Sequence, residues 1–167
     1  EDVAFRDELD KSLSISCRYY EDLKLKGKKV VLFVGRLIDI KNLDFLLNAF
    51  SQILDEYPNA ELLLVGEGDR RNALEDLAFC LGIKEKVHFL GKKQGKDLYA
   101  FYNLGQVFVL PSYYERFGAV VNEALLSGCY TLCSSVAGAA CLISPENGAC
   151  FDPKKQKDLE EALRMAL

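Results

Sequence analysis

The sequence predicts an α/β domain built on a parallel sheet with helices on both faces. Three observations carry this expectation. Short apolar runs alternate with longer segments whose apolar residues recur at helical spacing. The short runs are apolar almost without interruption, as strands covered on both sides must be. Each of four runs stops at or beside a turn former (Gly35, Gly66, Gly91 and Pro111), where a strand would hand over to the next helix.

Taken in order, residues 30–34 are the first strand, and Leu43, Leu46, Leu47, Phe50, Ile53 and Leu54 mark the first helix of the alternation, closed by Pro58. Residues 61–65 form a second strand ending in Gly66-Glu67-Gly68. A helix carrying Leu74, Leu77, Ala78 and Leu81 follows and stops at Gly82, a C-capping position. The third strand is 87–90, and a helix with Leu98, Phe101 and Tyr102 leads to the fourth, 107–110. A helix beginning near Val120 ends at Ser127-Gly128, and a fifth strand spans 130–133. Ala137 to Ala140 mark a tight turn. A last short strand, 149–151, precedes Asp152-Pro153 and a terminal helix over 154–167.

Residues 1–27 fit this alternation poorly. They read as a linker or interdomain arm, with a helical stretch within 9–20, ahead of a domain at 28–167. Both ends of the sequence look like those of a piece of a larger protein.

A chain of 167 residues, 50% hydrophobic and 28% charged, can bury the core of one ordinary soluble domain. Its formal charge of −4 and pI near 5.1 argue against a general nucleic-acid binder. No apolar run approaches the roughly 20 residues of a membrane span. Six cysteines and a single histidine, His88, lack the paired spacing of a zinc site, so no metal is expected. Reduced thiols in the cytoplasm are the economical reading. Cys80, Cys133 and Cys150 lie in apolar stretches and are expected to act as small core residues.

The chemistry concentrates at the carboxyl ends of the strands, where open parallel sheets bind ligands. Gly35, Arg36 and Lys41 lie between the first strand and its helix. Two cations beside a helix N-terminus suit a diphosphate. Glu115 and Glu123 flank a Phe-Gly step after the fourth strand, one acid on a loop and the other inside a helix. Ionised carboxylates in those places accept hydrogen bonds from a polyhydroxylated ligand. Gly66-Glu67-Gly68 lacks the third glycine of a dinucleotide fingerprint, and His88 reads as a strand residue.

The ordered set Gly35-Arg36-Leu37, Lys41-Asn42, Gly66-Glu67-Gly68, residues 87–91, Leu110-Pro111-Ser112, Glu115 to Gly118 with Glu123-Ala124-Leu125, and Asn147-Gly148 resembles the carboxyl-terminal domain of GT-B glycosyltransferases. The closest group is the retaining family 4. That resemblance implies a Rossmann-like donor domain that grips a nucleotide-diphosphate sugar through Arg36 and Lys41 without a cofactor or metal. It implies that Glu115 contacts the transferred sugar, that backbone at Phe117, Gly118 and Ala119 faces sugar and phosphates, and that Glu123 holds the ribose. Gly35 and Gly66 would keep the floor open. The acceptor, a glycan or lipid-linked glycan, would be held by an amino-terminal domain, with the intact enzyme in the cytoplasm or peripheral to a membrane's inner face. Arg116, Tyr130, Ala137 and Cys141 depart from the family pattern. Two alternatives remain at this stage: a non-catalytic nucleotide-sugar-binding module and a dinucleotide-dependent oxidoreductase domain.

Overall fold

The structure is a computed structural model and describes residues 2–167. Two helices come first, α1 (Asp2–Lys11) and α2 (Leu13–Asp22). The alternation then runs β1 (Lys29–Val34), α3 (Leu43–Ile53), β2 (Ala60–Val65), α4 (Arg71–Cys80), β3 (Val87–Phe89), α5 (Gly95–Leu104) and β4 (Val107–Leu110). It finishes with α6 (Ala119–Leu126), β5 (Tyr130–Ser134), β6 (Gly148–Phe151) and α7 (Gln156–Ala166). Six parallel strands form one sheet in the order β3-β2-β1-β4-β5-β6. The order reverses between β1 and β4, and there the loops leaving two neighbouring strands diverge to opposite faces and open a crevice.

Strand side chains alternate between two cores, as a period of two requires. Val31, Phe33, Leu62, Leu64, Val109 and Leu132 pack beneath α3, α4 and α7. Val30, Leu32, Leu63, Phe108, Leu110 and Cys133 pack beneath α1, α5 and α6. Central strands are therefore buried on both faces, which explains their uninterrupted apolar runs.

Residues 2–22, read from the sequence as part of an arm, are folded onto the domain. Leu9 and Leu25 are buried, and Asn103 on α5 donates to the Leu9 carbonyl (2.9 Å), Ser12 Oγ (3.0 Å) and Ser16 Oγ (3.2 Å). Ser16 Oγ in turn donates to the Ala100 carbonyl at 3.2 Å. The seam between α2 and α5 thus contains buried serines, and that is why no apolar stripe advertised it.

The cysteine expectation needs a second correction. Cys133 is buried on β5, but Cys80 and Cys150 are exposed, on a helix flank and on the edge strand β6, while Cys129 is the other buried thiol. Burial pushes the Cys133 thiol up to about 12 and raises Cys129 as well, so both are inert neutral fillers.

Candidate functional site

The crevice between β1 and β4 is assembled by Asn42. After β1 the chain makes a short 3-10 turn (Asp39–Lys41) and then places Asn42 in the left-handed region (φ 56°, ψ 41°), which asparagine tolerates better than most residues. Its buried side-chain amide donates to the carbonyls of Pro111 (3.1 Å) and Pro153 (3.2 Å). One residue therefore stitches the loops that follow β1, β4 and β6. The Tyr113 N–H adds a bond to the Ile40 carbonyl at 3.0 Å. From the other side Arg70 clamps the turn, with Nε 3.1 Å from Asp39 and Nη2 within 2.8–2.9 Å of both Asp44 oxygens.

This scaffold brings Lys41 and Glu115 into direct contact. Lys41 Nζ donates to Glu115 Oε2, and both side chains are mostly shielded, 16% and 20% exposed. The ends of the pair lie 74 positions apart in sequence and come from the loops that follow the two strands flanking the order reversal. Backbone around Glu115 is held independently: its carbonyl accepts from the Gly138 N–H at 2.8 Å, within a bridge to Ala137. A Cβ on Gly138 would sit 2.0 Å from the Arg116 carbonyl oxygen, so this close approach requires glycine.

Arg36 differs from Lys41. It is exposed, and among the described residues it forms no ion pair or hydrogen bond. With Gly35, Gly66, Glu67, Lys92, Lys93 and Leu98 it lines a cavity of about 350 Å³ at the carboxyl ends of β1 and β2. Gly66 owes its identity to chain packing, because a Cβ there would lie 1.7 Å from the Gly35 carbonyl oxygen.

On the far side of the crevice, Gly118 takes up φ 74° as the residue that starts α6. Phe117 and Ala119 are exposed beside it, leaving the first amides of the helix without side-chain caps. Glu123, in the second turn, is half-buried and accepts a 2.6 Å hydrogen bond from the Tyr102 hydroxyl. It lines a different cavity, about 450 Å³, walled by Phe5, Glu8, Tyr99, Ala119 and Asn122. The expected site residues thus fall into three groups: Gly35, Arg36 and Gly66; Lys41 with Glu115; and Phe117, Gly118 and Ala119 at the start of α6 with Glu123. Consecutive α5 residues, Leu98 and Tyr99, line the two cavities. His88 lies at the opposite end of the sheet, bonded to Glu61.

Sequence reasoning passed over Asn42, Arg70 and Tyr102 as site-builders. Only Asn42 carried a readable signal, an asparagine at a helix start after a basic residue. The other two act through partners that the sequence does not place.

Among the described residues no cluster of His, Cys, Asp or Glu is arranged to hold a metal ion, and no helix is long and apolar enough to cross a membrane.

A family profile described as Glycosyl transferases group 1 matches residues 20–167. The chain belongs to that family. It is 43% identical over 128 residues to an uncharacterized glycosyltransferase of Methanocaldococcus jannaschii, covering 76% of this chain and 33% of that one. Sucrose-phosphate synthase from Thermosynechococcus elongatus is 32% identical with a TM-score of 0.74, covering 83% of this chain and 36% of that one. The Anabaena protein HepE, solved with UDP and glucose, shares the fold at a TM-score of 0.82 and 24% identity, over 91% of this chain and 42% of its own. The chain spans about a third of the length of the curated glycosyltransferase it matches. Membership of the family removes the oxidoreductase alternative, which the strand order alone could not do, since dinucleotide-binding domains use the same order.

Proposed function

We propose that this domain binds the donor in sugar transfer from a nucleotide-diphosphate sugar to an acceptor glycan or lipid-linked glycan held by a further domain. The observation that carries the reading is the Lys41–Glu115 contact at the order reversal, with the uncommitted cation Arg36 on the same loop as Lys41. Departure of the nucleoside diphosphate puts negative charge on the leaving oxygen while the sugar becomes cation-like. Arg36 and Lys41 stabilise the first charge and Glu115 the second, in place of a metal ion. The 350 Å³ cavity next to Arg36 takes the base, and the Anabaena protein of this fold was solved with UDP and glucose. Retention at the anomeric carbon and a cytoplasmic location complete the proposal and rest on the resemblance to family 4.

Lys41 is shared between Glu115 and the incoming diphosphate. Glu115→Gln releases the lysine, so affinity for UDP or GDP stays level or rises in calorimetric titration. In an enzyme that carries the acceptor domain, the same change slows transfer about 10²–10³-fold, since about 2.7–4 kcal/mol of transition-state stabilisation is lost with a preorganised group. Lys41→Met weakens the nucleotide and transfer together. The domain by itself binds nucleotide without turnover. Transfer by Glu115→Gln within about tenfold of wild type, or brisk transfer by the domain alone, contradicts the proposal.

A further inference from the structure

We infer that Tyr102 is a positioning residue for Glu123, fixing its carboxylate to receive the ribose diol of the nucleotide, and that Phe5 of α1 supports it. The inference rests on the donor-binding reading above. Tyr102 is wholly buried on α5, and its hydroxyl donates to Glu123 Oε2 at 2.6 Å, a length typical of an O–H bound to an ionised carboxylate. The ring cannot swing away. Phe108 of β4 lies against it with centroids 6.2 Å apart, and Phe5 meets it edge-on at 6.1 Å while also meeting Tyr99 at 5.2 Å.

A glutamate side chain rotates about three bonds, and ordering it for a ligand costs entropy at the moment of binding. Here the Tyr102 hydrogen bond supplies part of that ordering in the free protein. One carboxylate oxygen is anchored, and among the described residues the other, Oε1, has no hydrogen-bond partner, so its lone pairs are free for the two O–H donors of a vicinal diol. Burial, followed by the charge of Glu123, raises the Tyr102 phenol well above its ordinary range, so it remains a donor at neutral pH. Phe5 lies outside residues 20–167, the part that matches the family. The support from α1 is therefore a feature of this chain beyond the family match.

The test is calorimetric titration of UDP and GDP, each paired with its 2′,3′-dideoxy counterpart, against wild type, Tyr102→Phe, Glu123→Gln and the double variant. Tyr102→Phe should weaken the ribose nucleotides about fivefold to tenfold, the scale of one ordinary net hydrogen bond, and leave the dideoxy nucleotides unchanged. It should add nothing in the Glu123→Gln background. Phe5→Ala should move the same discrimination in the same direction by less, and serves if Tyr102→Phe fails to fold in a melting scan. If Glu123→Gln narrows the ribose-to-dideoxy ratio and neither Tyr102→Phe nor Phe5→Ala does, the tyrosine only packs and the inference fails. If Glu123→Gln itself leaves the ratio unchanged, the ribose role of Glu123 fails, and the inference with it.

Discussion

The two ends of the sheet handle charge in opposite ways. At the amino end, Glu61 of β2 is buried and ringed by three partners: Lys28 at 3.2 Å, His88 at 2.9 Å and, at 3.3 Å, Lys86, which also donates to the Pro58 carbonyl. Gln106 fills the remaining gap by accepting the Val30 N–H. At the carboxyl end, Arg36 has no partner among the described residues, and Lys41 and Glu115 have mainly each other. Among the described residues, the two buried hydroxyls without a protein partner, Ser112 and Ser134, are also there, just after β4 and at the end of β5. Closed electrostatics stabilise a fold, whereas incomplete electrostatics leave binding capacity for a ligand. The same strands carry both, which separates stability from function by about the length of a strand.

Substituting at the amino end is the hardest blow to the fold. Glu61→Ala leaves two lysines facing a shielded hole and should cost about 3 kcal/mol in urea unfolding, the low end for breaking a buried pair because the lysines reach solvent. Nucleotide affinity of the folded fraction should not change. The pH dependence follows from the same group. Burial opposes ionisation of Glu61, but hydrogen bonds from His88 and Lys28 and the charge of Lys86 outweigh it and hold the carboxyl below its usual range. A depressed folded value means stability that is fully present above the unfolded value of 4.5 and is lost as pH falls through the lower folded value. Acid unfolding in that window should therefore be shallower in Glu61→Gln than in wild type.

Asn42→Ala should lower stability and binding together, because this one residue is both a buried hydrogen-bonding group and the tie between the loops of the site. Losing two buried hydrogen bonds and forcing alanine into the left-handed region should cost about 2 kcal/mol. Nucleotide binding should weaken too, because the loops carrying Lys41 and Glu115 are left tied only by the Tyr113–Ile40 backbone bond and the Lys41–Glu115 pair itself. Asn42→Gly restores the backbone but not the amide, so recovery of stability without recovery of affinity would sharpen the point.

Sheet and helix alternation were legible because β1, β2 and β4 are covered on both faces and, past Lys29 and Glu61 at their amino ends, their apolar runs are unbroken. Lys41 and Glu115 were legible as residue types near strand ends. Their contact was not, since it depends on a strand order that sequence spacing does not encode. Helices α1 and α2 were read as an arm because Ser12, Ser16 and Asn103 do in hydrogen bonds what leucines would do in packing. Cys150 misled for a different reason: its run is apolar, yet β6 is an edge strand, and one face of an edge strand can remain open to water.

The smallest expected change in stability belongs to the residue with the largest expected role in binding. Arg36→Ala should leave the unfolding free energy within about 0.5 kcal/mol of wild type, as for an exposed side chain without partners. The most direct test titrates UDP, GDP and ADP against wild type and Arg36→Ala by calorimetry, with melting curves on the same samples. The account predicts that wild type binds at least one of these diphosphates, that the variant binds it at least tenfold more weakly, and that the two proteins melt together in the absence of ligand. Equal affinity in the two proteins, or no binding by wild type, contradicts it.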